Sequence, residues 1–232
     1  HTIENWSEGD FRFVDGFLLY DDEPVRKVIT GRIVQMLKEG WDHKPMLKFL
    51  ENLYENVSHR AVNEFYDWIQ HKGLAITPDG CILGYKGVVV YSGPEQDDLD
   101  GNPLKEGDLV DRYTGFSHRN NVGDAPAMKR RKVDDNCNNG CGSGLHAGTF
   151  EYASGWAGSD GKVVLVKIDP RDVVSIPTDC EFQKLRCRTY EVVDVARDII
   201  ETAVVDDYYD DLGDEEDYLD ELEDGDVIND SW

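Results

Sequence analysis

The sequence predicts an α+β protein: an N-terminal β-hairpin and small helical unit, followed by an antiparallel or mixed sheet domain with a disordered acidic C-terminal tail. Three patterns support this order. Apolar residues first recur at helical spacing, strand-like runs separated by turn residues follow, and acidic residues dominate the end of the chain. We predict a hairpin plus three-helix unit over residues 1–73, an α+β domain over residues 74–205 and a tail over residues 206–232.

Two tight hairpins are predicted from turn residues that lie between β-prone runs. The first covers residues 11–20, where Asp15 and Gly16 separate the two runs. The second joins residues 74–76 to residues 81–91 through the turn Thr77-Pro78-Asp79-Gly80. This second hairpin marks the entry into the sheet domain.

Three helices are predicted between the hairpins. The first follows the apolar spacing from Val25 and ends at Gly40. The second begins at Pro45, a residue suited to a first helical turn, and the third is capped by Ser58 and ends at Gly73. Short helices joined by short loops indicate a compact helical unit.

The remaining body of the chain is predicted to hold a long loop, one helix and two strands. The loop covers residues 92–135, exceeds the usual loop length and is therefore either functional or mobile. A short helix starts near Thr149, and strands are predicted over residues 162–168 and 185–193. Inside the loop, the basic cluster Lys129-Arg130-Arg131-Lys132 is expected to pair with local carboxylates or to contact a partner.

Charge is segregated along the chain. The net charge is −24, from 24 Lys and Arg against 48 Asp and Glu, and residues 206–232 alone contain 14 acidic and no basic residues. Such a tail either keeps the protein soluble or imitates nucleic-acid phosphates and binds a basic host protein, with aromatic residues as anchors. The tail residues expected to contact a partner are Asp206, Asp207, Tyr208, Tyr209, Asp210, Asp211, Asp214, Glu215, Glu216, Asp217, Tyr218 and Trp232.

Composition also argues against several classes of protein. No apolar stretch approaches the ~18 residues of a membrane span, and no signal-peptide pattern opens the chain, so we expect no membrane insertion and a cytoplasmic location. Five cysteines in a chain of this size indicate reduced thiols. A protein this acidic is not expected to bind nucleic acid directly.

Cys137, Cys141 and His146 are the candidate metal ligands. Thiolate and imidazole suit zinc, but the set is one ligand short, and Cys180 or Cys187 would complete it only if the fold brought one of them near. The alternative is a structural turn with buried thiols. On balance the sequence predicts no metal.

Four separate motifs resemble the rIIB-like proteins of bacteriophages. They are the run from Leu74 to Lys86, the run from Cys141 to His146 (Cys-Gly-Ser-Gly-Leu-His), the run from Asp172 to Asp179 and the run from Arg188 to Val193. Their order and spacing match as well, over about residues 30–196. The resemblance implies an early phage protein that assists in lysis inhibition or protects against host exclusion systems, often together with a second phage protein at the inner membrane.

A second pattern is similar to ADP-ribosyltransferases. It consists of Tyr85 and Lys86 on a strand, His146 before a helix that carries Tyr152, and Glu191 on a late strand. The similarity implies a pocket for NAD, in which an aromatic ring stacks on nicotinamide and the carboxylate stabilises an oxocarbenium-like centre. The chain has Tyr85 and Lys86 where that family has a His or Arg. The alternative is that Glu191 is an ordinary exposed strand residue.

These observations lead to one leading hypothesis and two alternatives. The leading hypothesis is a non-enzymatic phage protein without a cofactor that binds and modulates a host factor in the host cytoplasm, or at the inner membrane through a partner. The first alternative is an acidic nucleic-acid mimic that inhibits a host DNA- or RNA-binding protein. The second alternative is an enzyme similar to ADP-ribosyltransferases.

Overall fold

The structure of the protein, a computed structural model, describes residues 5–71 and 75–196. Two predictions, the acidic tail and the helix end at Gly73, lie outside the described residues. The chain divides into a smaller compact unit around residues 5–41 and a larger one around residues 42–196. The observed fold is α+β, as predicted. The proposed domain boundaries at residues 73 and 205 stay predictions.

The smaller unit pairs a four-stranded antiparallel sheet with one helix. Its strands are β1 (Ser7–Glu8), β2 (Phe11–Val14), β3 (Phe17–Tyr20) and β4 (Glu23–Pro24), in that order across the sheet, and its helix is α1 (Lys27–Glu39). The predicted hairpin is confirmed as β2 and β3. Asp15 and Gly16 both have positive φ, at 51° and 89°, which is the turn geometry that matches strand twist. Gly40 ends α1 in the left-handed conformation, as predicted.

Three helices belong to the larger unit: α2 (Lys44–Tyr54), α3 (His59–His71) and α4 (Phe150–Ala157). Their starts follow the predicted capping residues. Pro45 lies in the first turn of α2. The hydroxyl oxygen of Ser58 accepts a hydrogen bond from the backbone N–H of Ala61, and that of Thr149 accepts one from Tyr152, both at 3.2 Å.

The larger unit is built on an eight-stranded sheet in which every described pair of strands is antiparallel. The main path runs β10-β11-β8-β6-β9-β12, and β5 and β7 both pair with β6. The strands are β5 (Ala75–Ile76), β6 (Ile82–Val90), β7 (Leu109–Val110), β8 (Leu145–Gly148), β9 (Gly161–Ile168), β10 (Val173–Ser175), β11 (Lys184–Cys187) and β12 (Glu191–Val195). The predicted second hairpin is confirmed as β5 and β6.

The single strand predicted over residues 185–193 is wrong. The structure has two strands there, β11 beside β8 and β12 beside β9, so they lie on opposite sides of β6 in the sheet. Between them the chain pairs with distant segments, because the N–H of Arg188 donates to the carbonyl of Asp172 and the Thr189 hydroxyl donates to that of Pro126. These long-range hydrogen bonds divide an otherwise continuous β-prone run.

The helix α4 packs directly against β6 and β9. Gly87 permits this approach, because a Cβ atom there would lie 2.3 Å from the carbonyl oxygen of Ala153. Among the described residues, no helix combines the length and the apolar character needed to cross a membrane.

Candidate functional site

The larger unit contains a cavity of about 530 Å³. It is lined by side chains from β6, β8, β11 and α4, together with two irregular segments, residues 111–118 and 140–144. Strand β6 contributes Lys86 and helix α4 contributes Tyr152 and Trp156. Polar, cationic and aromatic side chains therefore meet in one concave site.

A buried ion pair lies in this cavity. Nζ of Lys86 is 3.0 Å from a carboxylate oxygen of Asp111, and only 7% and 12% of the two side chains are exposed. Burial by itself raises the pKa of Asp111, but the charge and hydrogen bond of Lys86 outweigh it and hold that pKa below its ordinary value. Nζ of Lys86 also donates to the backbone carbonyl of His146 at 3.3 Å. The pair therefore fixes β6, β8 and residue 111 to one another.

Two histidines line the same cavity, His118 buried and His146 partly buried. Burial, followed by the charges of Lys86, Arg186 and Lys184, lowers the pKa of His146 to about 4. Nε2 of His146 accepts a hydrogen bond from Nε of Arg186 at 3.2 Å, so the neutral ring carries its proton on Nδ1. Burial also lowers the pKa of His118. Both imidazoles are therefore neutral at pH 7.

Arg186 supports the cavity from behind His146. Its side chain is fully buried, and its Nη1 donates to the hydroxyl of Ser175 and to the carbonyls of Asp134 and Asn136, at 3.1 to 3.2 Å. Nη2 has no hydrogen-bond partner among the described residues. Because a buried guanidinium needs several acceptors, Arg186 holds β10, β11 and the chain before the glycine-rich segment together.

Lys184 is a second buried cation in the cavity. Its Nζ donates to the backbone carbonyl of Gly140 and to the carboxylate of Asp179, each at 2.7 Å. The same ammonium lies 5.8 Å from the centre of the Tyr152 ring. Lys184 thus ties β11 to α4 and to the glycine-rich segment.

An aromatic group forms another wall of the cavity. The rings of Tyr113 and Trp156 meet edge to face with their centres 4.6 Å apart, and Tyr152 lies 5.9 Å from Trp156. Tyr113 is 65% exposed and Trp156 39% exposed. Two large aromatic side chains are therefore accessible at a site whose charged groups are buried.

The remaining wall is the glycine-rich segment of residues 140–144. A Cβ atom at Gly142 would lie 2.7 Å from Cβ of Asp134, so the segment can pack this closely only with glycine. In the described part of the chain, the backbone N–H groups of Cys141 and Ser143 donate no hydrogen bond to another group. Both residues line the cavity.

The structure brings together part of the transferase-like pattern. Lys86, His146 and Tyr152 all line the cavity. Tyr85 lies on the opposite face of β6, where its ring packs against Phe150 at 5.4 Å. Glu191 is exposed on β12, paired with Lys167 of β9, and does not line the cavity. The carboxylate that the transferase alternative requires is therefore absent from the cavity.

The three candidate metal ligands do not form a cluster. Cys141 and His146 line the cavity, but Nε2 of His146 accepts a hydrogen bond from Arg186. Cys137 lies beside Glu64, and burial together with that carboxylate raises the pKa of its thiol. Within residues 5–71 and 75–196, no group of three or more His, Cys, Asp or Glu side chains is placed to hold a metal ion.

The basic cluster at residues 129–132 divides into one structural residue and three exposed ones. Arg130 donates to the carbonyls of Arg171 and Val173 and to the side-chain oxygen of Asn56, at 2.8 to 3.0 Å. Lys129, Arg131 and Lys132 are exposed. The tail residues predicted to contact a partner, between Asp206 and Trp232, lie outside the described residues.

Sequence reasoning missed several residues that line the cavity or, like Arg186, support it from behind. Asp111 and His118 belong to the long segment that has no periodic pattern, so nothing local distinguishes them. Lys184 and Arg186 alternate with apolar residues on a strand, a pattern that normally indicates a solvent-facing side, yet both are buried. The long segment itself was a useful signal, because it was predicted to be functional or mobile and it supplies part of the cavity wall.

Comparison with known proteins gives a consistent result. A family model described as bacteriophage T4 protein rIIB matches residues 7–216, which extends beyond residues 30–196 at both ends and includes the start of the acidic tail. Protein rIIB of Enterobacteria phage T4 is 32% identical over 194 residues, which cover 83% of this chain and 56% of that protein.

The chain thus spans little more than half the length of this relative. No solved structure matches the chain. The four sequence motifs, the family match over most of the chain and the identity to the phage T4 protein agree, and the chain belongs to the bacteriophage T4 rIIB family.

Proposed function

We propose that this protein is a phage accessory protein that binds a host protein and changes its behaviour, without catalysing a reaction. Membership of the rIIB family supports a role for the phage during infection. The observation that carries the proposal is the segregation of charge, with 14 acidic and no basic residues in residues 206–232. A contiguous charge of one sign accelerates and orients binding to a surface of the opposite sign.

The two parts of the chain have different tasks in this proposal. The acidic tail attracts a basic surface on the host protein, and Tyr208, Tyr209, Tyr218 and Trp232 supply aromatic anchors, the residue types that dominate binding energy at interfaces. The folded units supply a surface of defined shape. On that surface the exposed side chains of Lys129, Arg131 and Lys132 offer a positively charged contact, opposite in sign to the acidic tail. The outcome of binding would be lysis inhibition or protection against a host exclusion system.

The site of action belongs to the same proposal. The protein acts in the host cytoplasm, or at the inner membrane when a second phage protein holds it there. Since a membrane location would depend on that partner, infection without the second phage protein should leave this chain in the soluble fraction of the lysate.

Direct mimicry of nucleic acid is the second candidate, and the density of carboxylates in the tail favours it. Carboxylates along the tail would occupy the phosphate-binding surface of a DNA- or RNA-binding host protein. The two candidates differ in one respect. Added duplex DNA competes with a mimic for its target but does not compete with a partner bound elsewhere.

The geometry does not supply the carboxylate that the transferase alternative requires, because Glu191 does not line the cavity. Asp111 is the one carboxylate that lines the cavity in the described residues, and it is paired with Lys86. A transferase would hydrolyse NAD or transfer a label, and Glu191→Ala would abolish either activity. Activity that is unchanged in this variant would exclude the assigned role of Glu191.

Affinity capture from host lysate tests the proposal. The full-length chain should be compared with a neutral-tail variant, in which every Asp and Glu of residues 206–232 is replaced by Asn or Gln, at low and moderate salt and with and without duplex DNA. The proposal predicts a host protein that the full-length chain retains and the neutral-tail variant loses. A set of captured proteins that is the same for both chains would contradict it.

A further inference from the structure

We infer that the cavity of the larger unit binds a mononucleotide, with the base against Trp156 and Tyr113 and the phosphate near Lys184 and the backbone of residues 141–143. This site is separate from the acidic tail and goes beyond the proposed host-protein binding. Four properties of the cavity support it: size, aromatic surface, free hydrogen-bond donors and charge.

The size of the cavity fits a small molecule. Its volume of about 530 Å³ lies within the range of about 300–1,000 Å³ that is usual for small-molecule sites. A folded peptide element would need a longer groove, whereas this cavity is bounded by β6, α4 and the glycine-rich segment. The volume therefore favours a compact ligand.

The aromatic wall offers a surface for a flat ring. Trp156 and Tyr113 are both accessible and pack edge to face, with their ring centres 4.6 Å apart. Exposed aromatic side chains are costly to leave in water, and bases stack on them irrespective of sequence. A purely anionic ligand such as phosphate would leave this wall unused.

The polar wall offers unused donors. An ammonium group has three N–H donors. In the described part of the chain, Lys86 uses two, for Asp111 and the carbonyl of His146, and Lys184 uses two, for Gly140 and Asp179. One N–H donor therefore remains on each lysine, and the backbone N–H groups of Cys141 and Ser143 add two more.

The charged groups of the cavity are balanced in pairs, so a ligand would meet hydrogen-bond donors without an excess of carboxylates. Lys86 is paired with Asp111 and Lys184 with Asp179, and both lining histidines are neutral. The rest of the chain is strongly acidic, but at physiological salt exposed charges beyond about 8 Å are largely screened. The hydrogen-bond donors within the cavity, and not the distant carboxylates, then decide which charge a bound ligand carries. A nucleotide can contact both walls, because its flat base packs against the aromatic side chains and its phosphate accepts hydrogen bonds from the polar wall.

Equilibrium dialysis or calorimetry with the full-length chain tests this inference. The probes are AMP and ADP, with adenosine and inorganic pyrophosphate as the two halves of the ligand. We expect the nucleotides to bind, and each half alone to bind more weakly. Trp156→Ala should weaken nucleotide binding by about fivefold to about 150-fold, the loss of one stacking contact. Lys184→Met should weaken it by about 10-fold to about 150-fold.

Matched substitutions control for general effects. Trp41→Ala removes an exposed indole of the smaller unit, and Lys162→Met removes an exposed ammonium from β9; neither side chain lines the cavity, and both variants should bind as the unchanged chain does. Trp156→Phe keeps a ring and should restore part of the affinity lost in Trp156→Ala. If Lys184→Met fails to fold, the Trp156 series alone decides.

Three results would overturn the inference. The first is that neither nucleotide binds at millimolar concentration. The second is that the cavity and control variants bind equally well, which would place the nucleotide elsewhere. The third is that pyrophosphate binds as tightly as ADP, which would exclude the aromatic half of the site. Failure here leaves the host-protein proposal intact, since that proposal depends on residues 206–232.

Discussion

The protonation state of His146 is set by the groups that surround it. Burial comes first, and the cations Lys86, Arg186 and Lys184 add to it, so that the pKa falls from an ordinary 6.5 to about 4. The ring is therefore a neutral acceptor for Arg186 over the whole physiological range. Charging it would place a fourth positive group among three cations.

Stability should consequently depend on pH through His146. The unfolded chain takes up a proton on this residue near pH 6.5, whereas the folded chain does so only near pH 4, so the folded state loses stability as pH falls between those values. We expect the free energy of unfolding to fall by roughly 2 kcal/mol more in the unchanged chain than in His146→Gln between about pH 7 and about pH 4.5. Urea unfolding at both pH values measures this difference. Equal losses in the two proteins would show that His146 is not the titrating group.

Substitution of two glycines near or within α4 by alanine should have opposite effects on stability. A Cβ atom at Gly87 would lie 2.3 Å from the carbonyl oxygen of Ala153 and 2.6 Å from the backbone nitrogen of Ala157, so Gly87→Ala must displace the helix. We expect a loss of about 2 kcal/mol or more. A Cβ atom at Gly155, inside α4, would meet nothing within 4 Å, and Gly155→Ala should stabilise the protein by about 0.5–1 kcal/mol.

Thermal unfolding of the two glycine variants gives the comparison directly. The melting temperature should fall for Gly87→Ala and rise for Gly155→Ala. A Gly87→Ala variant as stable as the unchanged chain would mean that α4 does not lie against β6 in the way described.

Among the elements, the long segment of residues 92–135 contributes most to the site. It has a short strand, β7, and turns that are held by side-chain to backbone hydrogen bonds, such as those from the N–H groups of Asp100 and Asn102 to the carboxylate of Asp98. Of the two possibilities predicted for it, the cavity residues Asp111 and His118 favour a functional one. Its position depends on contacts with the late strands.

The hydrogen bond between Tyr190 and Asn120 is one such contact. The Tyr190 hydroxyl donates to the side-chain oxygen of Asn120 at 2.5 Å, and both residues are buried. Tyr190→Phe leaves that oxygen without its donor and should destabilise the protein by about 1–2 kcal/mol in urea unfolding. Tyr113→Phe, on an exposed side chain, should change stability by less than about 0.5 kcal/mol. Similar small changes in both variants would mean that this bond does not hold the segment.

Elements with local signals could be predicted from the sequence, and elements formed by distant contacts could not. Asp15-Gly16 specifies its hairpin and Ser58 and Thr149 specify helix starts, because a turn or a cap involves residues two to four apart. The division of β11 from β12 depends on contacts of Arg188 and Thr189 with chain 16 and 63 residues away.

The candidate site follows the same rule. Lys86, His146 and Tyr152 were singled out by a family-like pattern and do meet in the cavity. Lys184 and Arg186 were not, because a buried cation is recognisable only once its acceptors are known, and those of Arg186 lie 11 to 52 residues away. Glu191 matched the pattern by its position in the sequence, but register places it on β12 outside the cavity.

For the whole molecule, charge and fold are arranged separately. The folded units carry cations where they serve as internal ties, as Arg130, Lys184 and Arg186 do. The acidic excess is densest in residues 206–232, where no Lys or Arg is available to neutralise it within the segment. This separation is what a charged binding segment attached to a stable body requires, and it is the basis of the proposed function.

Photo-crosslinking in infected cells tests that proposal most directly. A photoreactive amino acid would replace Tyr208 in the tail and, as the control position, Val57, which is 81% exposed on the body. The account predicts a crosslink from residue 208 to a defined host protein, lost when the carboxylates of residues 206–232 are neutralised and not given by residue 57. Absence of a host crosslink from residue 208, or one that survives neutralisation of the tail, would contradict it.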